Sequence, residues 1–503
     1  MRVTVDGSPL TVEDVVAVAR RRAEAVAGPD LAERMGPARQ VVARTVDGNE
    51  IVYGITTGFG AFASTRIEPA QARSLQVNLL RSHAAGVGPP VAAEVVRAML
   101  LLRARTLAQG HSGVRPVVVQ RLLDLLRLEL LPVVPRYGSV GASGDLAPFA
   151  HLALPLIGEG YLHDAGTVRP AAEALAAAGL EPIALEAKEG LSLLNGTEGM
   201  SGMLCLAIDR ADRLTSVGDI AAALSIEALM GSARPFRPEI HALRPHPGQV
   251  ASAERIARLL AGSEIGSSHA DDFVHAVQDA YSLRCAPQVH GAAADTVDHA
   301  RRVVAIEIGA VVDNPIVLPD TGEVISGGNF HGQPLAFAAD FLAIAVTELG
   351  SISERRTDRL LDPERSAGLP AFLSPEPGLH SGYMLAQYTA AALVAENRVL
   401  SHPASVESIP TSGSQEDHVS MGWGAARKLG EVIDNTTRVL AVELVCAAEG
   451  ISGRAPLRPA AAVAGVVEVI RSRVAPLTAD RPIGPDIEAV AELIDSGAFD
   501  EFA

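Results

Sequence analysis

Residues 141–145 read Gly-Ala-Ser-Gly-Asp, four small residues followed by a carboxylate. Three chemistries are open to such a stretch. It is a tight turn, with its glycines in conformations closed to other residues. Alternatively, Ser143 is a nucleophile, or the backbone itself is the reagent. The nucleophile reading asks for Gly-x-Ser-x-Gly on a strand-turn-helix, and here the fifth position is Asp145 with no such context around it. In the third reading the Gly144 nitrogen attacks the Ala142 carbonyl carbon and two waters leave, one of them carrying the Ser143 hydroxyl. The product is a methylidene-imidazolone ring (MIO) with an electrophilic exocyclic methylene. Gly144 has no side chain to hinder its nitrogen, Gly141 lets the chain bend, Ser143 supplies the hydroxyl that is lost, and small Ala142 lets the ring close. The tripeptide by itself leaves the turn and the ring both open.

Other motifs carry less. Gly58-Phe59-Gly60-Ala61-Phe62-Ala63 follows the apolar run "EIVYGI" and matches a degenerate G-x-G-x-x-A, but Arg66-Ile67-Glu68-Pro69 interrupts where a dinucleotide site needs a helix. It reads as a flexible glycine loop, or as one that holds Tyr53 or closes over a site. There is no HExxH and no P-loop lysine motif. Cys205, Cys285 and Cys446 are far apart, which gives neither a zinc site nor a disulfide framework and fits a reducing compartment. No metal is expected.

The elements that must position these residues are mostly helices. Ala and Leu dominate the apolar content while aromatics are only 4%, which favours helix. Thr11-Val-Glu-Asp14 is a capping-box variant. Ala92 to Gln109 reads as a helix capped by Gly110, and Pro116 opens the next, which Pro132 is expected to end. Asp209, Asp212, Arg213, Ser216 and Asp219 recur at helical spacing, as do Asp340, Thr347, Ser351, Glu354 and Asp358. Each set is a narrow polar stripe on a long helix with a wide apolar face, as in a bundle or an oligomer core. Val3–Val5, Leu162–Val168 and Ile316–Ile325 read as small hairpins. The expected fold class is mainly all-α: a long central helix bundle with small peripheral β-hairpins, in one domain over 1–503. Within it, 1–200 carries the tripeptide and the Tyr53 loop, and 201–503 carries the long helices.

Blocks along nearly the whole chain, from about Thr11 to beyond Ser452, carry a resemblance. They are "YGITTGFGAFAS" with Tyr53, "NLLRSHAAGVG" with His83, "GSVGASGDLAPFAHLAL" with the tripeptide, and "KEGLSLLNGTEGM" with Asn195. "VQDAYSLRCAPQVHG" follows with Gln278, Tyr281 and Arg284, then "SGGNFHGQPLAFAAD" with Phe330, and "HPASVESIPTSGSQEDHVSMG" with Glu416. In this order the chain resembles the MIO-containing aromatic amino acid ammonia-lyases, and within them the histidine-acting members. Taken singly, Tyr53 is a core tyrosine, Arg284 a structural ion pair and Asn195 a cap or turn residue.

The resemblance implies an architecture like that of the fumarase and aspartase lyases. It implies an MIO formed from Ala142, Ser143 and Gly144, with no external cofactor. Tyr53 would remove the substrate β-proton, a task for which a phenol of pKa about 10 needs a lowered value. Arg284 would hold the carboxylate through a bidentate pair, with Asn195 and Tyr281 against the ring carbonyl, the carboxylate or the amine. His83, Gln278, Phe330 and Glu416 complete the substrate pocket. Glu416, where phenylalanine and tyrosine lyases tend to carry an amide, offers an acceptor to an imidazole N–H. The implied reaction is therefore deamination of L-histidine to trans-urocanate and ammonia, the first step of histidine degradation. The alternatives are a tyrosine or phenylalanine lyase, an MIO-dependent aminomutase, and a helical scaffold without catalysis. Glu198, His290 and Gln333 depart from the usual pattern.

The remaining bounds concern partners. A net charge of −17 repels nucleic acid and anionic lipid. The N-terminal "MRVTVDGSPLTVEDVV" lacks an apolar h-region, and no uncharged run approaches the roughly 18 residues of a membrane span. The expectation is a cytoplasmic protein with a small-molecule amino acid substrate, no nucleic acid or membrane partner and, by the resemblance, a homotetramer with sites built from more than one subunit.

Overall fold

The computed structural model describes residues 1–503 except 49–50, 59, 63–64 and 270–277. Helix takes 59% of the chain and strand 8%, so the mainly α class holds. The longest helices are Glu198–Ala228, Ala286–Glu307, Gln333–Leu361 and Gly422–Ser452. The polar stripes at Asp209–Asp219 and Asp340–Asp358 fall on the first and third of these.

The chain forms two compact units, each assembled from three segments. The first takes Met1–Leu206, Arg301–Ala339 and Ala404–Arg427; the second takes Ala207–Ala300, Asp340–Pro403 and Lys428–Ala503. The first unit thus draws two segments from beyond residue 201.

Local signals account for most element ends. Thr11 caps the helix Val12–Ala19 with a reciprocal Asp14 bond, a complete capping box. The helix Ala93–Ala108 stops before Gly110, whose φ is +80°. Pro116 opens Pro116–Arg127, but that helix does not run to Pro132. It ends through a left-handed Glu129 (φ 57°) and a Leu130 N–H bond back to the Leu125 carbonyl, and Leu131–Pro132 form a short strand.

Two of the three expected hairpins are present, Tyr161–Asp164 with Thr167–Pro170 and Ile316–Leu318 with Glu323–Ile325. The third is not a hairpin. Arg2–Val5 pairs in parallel with Glu24–Ala27, with the helix Val12–Ala19 as crossover. A four-residue strand carries no mark of its partner's direction, and the capped helix that follows forces the parallel return.

The cores are aliphatic. Leu100, Leu101, Leu122, Phe149, Leu156 and Leu193 are buried in the first unit, and Leu224, Val432, Leu440 and Val445 in the second. By length and composition Gln333–Leu361 could cross a bilayer, yet 61% of its apolar window is buried inside the protein.

Candidate active site

The tripeptide is pinned at Gly144 and just before it at Gly141, and both contacts require glycine. Gly144 has φ +75° and forms a bridge with Gly196; a Cβ there would collide with the Gly196 carbonyl oxygen. The same oxygen accepts the Asp145 N–H at 2.8 Å. Gly141 has φ +71°, and a Cβ on it would collide with the Ser420 hydroxyl. Beside it the Met421 N–H donates to the Val140 carbonyl at 2.9 Å. Asp145 is fully buried, accepts from the Met200 N–H at 2.9 Å and the Ser139 hydroxyl at 3.3 Å, and opens the helix Leu146–Ala153. Burial pushes its carboxyl up to about 7.

Ser143 projects into a cavity of about 340 Å³ lined by Tyr53, Gly60, Phe62, Leu79, His83, Leu146, Leu191, Leu194, Asn195, Ser412, Gly413 and Glu416. Its hydroxyl donates to Asn195 Oδ1 at 2.8 Å, and Asn195 Nδ2 donates to the Asn314 carbonyl at 2.8 Å. Asn195 follows the helix Glu189–Leu194, which Gln76 holds through the Leu191 N–H and Arg115 holds through Glu189. Leu79 and His83 are one helical turn apart on Ala72–His83.

Two polar groups line the cavity with Ser143. The His83 Nδ1 lies 3.0 Å from the Leu79 carbonyl, which can only accept, so Nδ1 carries the hydrogen and Nε2 keeps its lone pair. Burial holds His83 below the usual histidine range, opposed by that carbonyl and by the Glu416 carboxylate. Glu416 stands at the end of a turn closed by Thr411, whose hydroxyl donates to Glu416 Oε2 at 3.0 Å. Ser412, Gly413 and Ser414 all have positive φ, which tightens the turn and sets Gly60 against Ser412.

Tyr53 departs from the expectation of a lowered value. Burial raises its pKa and the Glu416 carboxylate raises it further, against a Gly60 N–H that donates to the hydroxyl at 3.3 Å. The phenol is therefore neutral in this pocket. Phe59 and Ala63 of the glycine loop lie outside the described residues.

The cavity thus brings together Tyr53, His83, Ser143, Asn195 and Glu416. Phe330 is half-buried in the first unit and does not line it. Gln278, Tyr281 and Arg284 belong to the second unit. There Tyr281 is exposed, the Arg284 guanidinium stacks 4.6 Å from its ring centroid, and Arg284 Nε donates to the Asp279 carbonyl at 2.9 Å. The leucines 79, 146, 191 and 194 and the small residues Ser412 and Gly413 were not singled out from sequence. Leu146, Leu191 and Leu194 sit inside the motif blocks, but only folding shows that they face the cavity. Among the described residues no group of three His, Cys, Asp or Glu could hold a metal ion.

Glu198, His290 and Gln333 each have a polar partner in the structure. Glu198 is buried against Arg103 beneath Gly196. His290 Nδ1 lies 2.7 Å from Asp219 in the second unit, and Gln333 Nε2 donates to the Ser405 carbonyl at 3.5 Å.

A histidine ammonia-lyase from Gloeobacter violaceus is 55% identical over 493 residues, covering 98% of this chain and 96% of the relative. The crystal structure of histidine ammonia-lyase from Trypanosoma cruzi superposes with a TM-score of 0.92 at 43% identity, over 100% of this chain and 95% of that one. A tyrosine aminomutase from Streptomyces globisporus gives 0.94 at 41% identity, covering 100% and 98%. The family model for aromatic amino acid lyases matches residues 10–472, and the chain belongs to that family.

Proposed function

We propose that this chain releases ammonia from L-histidine to give trans-urocanate, at the cavity that Ser143 shares with Tyr53, His83, Asn195 and Glu416. The observation that carries the reading is a carboxylate and a neutral imidazole facing Ser143 in one leucine-lined cavity. That is a polar end for an imidazole ring in an otherwise apolar slot. The full-length likeness to histidine ammonia-lyases supports it.

The residues fit an MIO formed from Ala142-Ser143-Gly144. Gly144 is held where no side chain is tolerated, the chain bends at Gly141, and the Ser143 hydroxyl is already bonded to Asn195. Once formed, such a ring supplies an electrophile that makes the substrate amine a better leaving group. The protein's own side chains do the rest. Glu416 accepts the imidazole N–H, His83 presents its Nε2 lone pair beside it, and the leucines exclude water. Tyr53 takes the β-proton in its minor, ionised form, with the Gly60 N–H as partner to the phenolate oxygen. Asn195 holds the Ser143 position.

Arg284, with Tyr281 and Gln278, binds the substrate carboxylate in a homotetramer whose sites draw on more than one subunit, and Phe330 closes the same site. Exposed Phe337, Phe341 and Ile344 on one long helix, and Leu385 and Tyr388 on another, support such an assembly.

The test is an assay of the purified protein with L-histidine, L-tyrosine and L-phenylalanine, reading ammonia and the acrylate product. Urocanate from histidine, at a far higher kcat/KM than either alternative, is expected, with no turnover by Ser143→Ala. A β-amino acid product would instead support the aminomutase reading that the Streptomyces globisporus neighbour suggests.

A further inference from the structure

Lys188 is one of only two lysines among the 42 basic residues of the chain, and it is fully buried. It holds a left-handed backbone, φ 70°, at the N-cap of Glu189–Leu194, the short helix that delivers Asn195. A buried cation and a left-handed non-glycine residue each cost stability. None of the roles assigned above uses either.

Its contacts lead to the active site. The Lys188 ammonium donates to Asp313 Oδ2 and to the Ser192 hydroxyl, each at 2.8 Å. The Asp313 side chain is also fully buried. Its second oxygen accepts the Asn314 N–H at 2.7 Å. The Asn314 carbonyl accepts from Asn195 Nδ2, and Asn195 Oδ1 accepts from the Ser143 hydroxyl, both at 2.8 Å. A continuous chain of hydrogen bonds therefore runs from a buried ion pair to Ser143, wholly within the first unit.

The direction of each bond matters. A carbonyl oxygen only accepts, so Asn314 demands the NH2 group of Asn195 and turns Oδ1 toward Ser143. A flipped amide would set two oxygens face to face and offer Ser143 a donor instead of an acceptor. Whatever fixes the Asn314 carbonyl fixes the state of the Ser143 hydroxyl. The three donors of an ammonium suit a dry site holding a carboxylate and a hydroxyl side by side, where a planar guanidinium fork is a poorer match.

We propose that Lys188 and Asp313 are positioning residues for Ser143. As a buried charge pair they fix the Asn314 carbonyl, and through it the Asn195 amide orientation that holds the Ser143 side chain in one position for ring formation. This rests on the reading of Ala142-Ser143-Gly144 as ring-forming.

The test is the intact mass of folded, purified wild type, Lys188→Met, and the double variant Lys188→Met/Asp313→Asn, with thermal melting in parallel. The double variant removes both charges, so it folds even where the single one leaves Asp313 buried and unpaired. Wild type is expected to lack two waters in nearly all chains, while the folded variants show a several-fold smaller fraction of such chains. Folded variants that melt earlier yet lack two waters as fully as wild type would overturn the proposal and leave the pair as a staple. A wild type at its full sequence mass would sink the ring reading itself, a separate outcome.

Discussion

Gly144 lies directly against Gly196, with no room for a Cβ between its backbone and the Gly196 carbonyl oxygen, which also accepts the Asp145 N–H. The contact brings two distant motif blocks together and fixes the nitrogen that, in the proposed ring closure, attacks the Ala142 carbonyl carbon. Gly144→Ala adds a clash to a left-handed strain of about 1–3 kcal/mol. The variant is expected to retain its full sequence mass and to lose turnover. Mass spectrometry on the folded fraction checks this.

Tyr53 is the assigned base, yet its phenol is held neutral by burial and by Glu416. Tyr53→Phe keeps the shape and removes the proton acceptor, so kcat should fall by roughly 10²–10⁴-fold. Ring formation should be untouched, read as the same loss of two waters. A near-normal kcat would remove Tyr53 from the chemistry.

Glu416 is expected to act twice. As imidazole acceptor, its replacement in Glu416→Gln should lower kcat/KM for histidine by roughly 10–100-fold, as for a charge-assisted bond of about 1.5–3 kcal/mol. The much smaller activity on phenylalanine should change little. As a carboxylate that raises the Tyr53 pKa, its removal should also move the alkaline dependence of kcat to lower pH. Full pH profiles with both substrates test the two effects separately.

Asp145 carries a pH-dependent cost. Its folded pKa of about 7 lies above its unfolded value of 3.8, so the folded state keeps a proton that the unfolded chain has released. Its contribution to stability is complete below the unfolded pKa and is lost as pH rises through about 7. The shift corresponds to an order of 4 kcal/mol. Asp145→Asn cannot ionise, so wild type should lose melting temperature relative to this variant as pH rises from about 4 to 8. Parallel curves would show that Asp145 is ionised throughout.

The helical class, the Thr11 capping box and the long helices were legible because each is set by residues a few positions apart. Five site residues were legible because they sit in motif blocks. What sequence could not show was pairing across distance. Nothing around residue 144 names Gly196 as its neighbour, and nothing around Lys188 names Asp313. Nor does the sequence around Tyr53 show what raises its pKa, since Glu416 comes from the distant 411–416 turn. The parallel pairing of Arg2–Val5 depended on a partner about twenty residues on.

The central claim is that Ala142-Ser143-Gly144 becomes the electrophile. The most direct measurement is the intact mass of the purified wild-type protein beside Ser143→Ala, with histidine turnover measured on the same samples. The wild type is predicted to lie two waters below its sequence mass and to release ammonia, and Ser143→Ala to show no turnover. A wild-type protein that turns over histidine at its full sequence mass would contradict the claim.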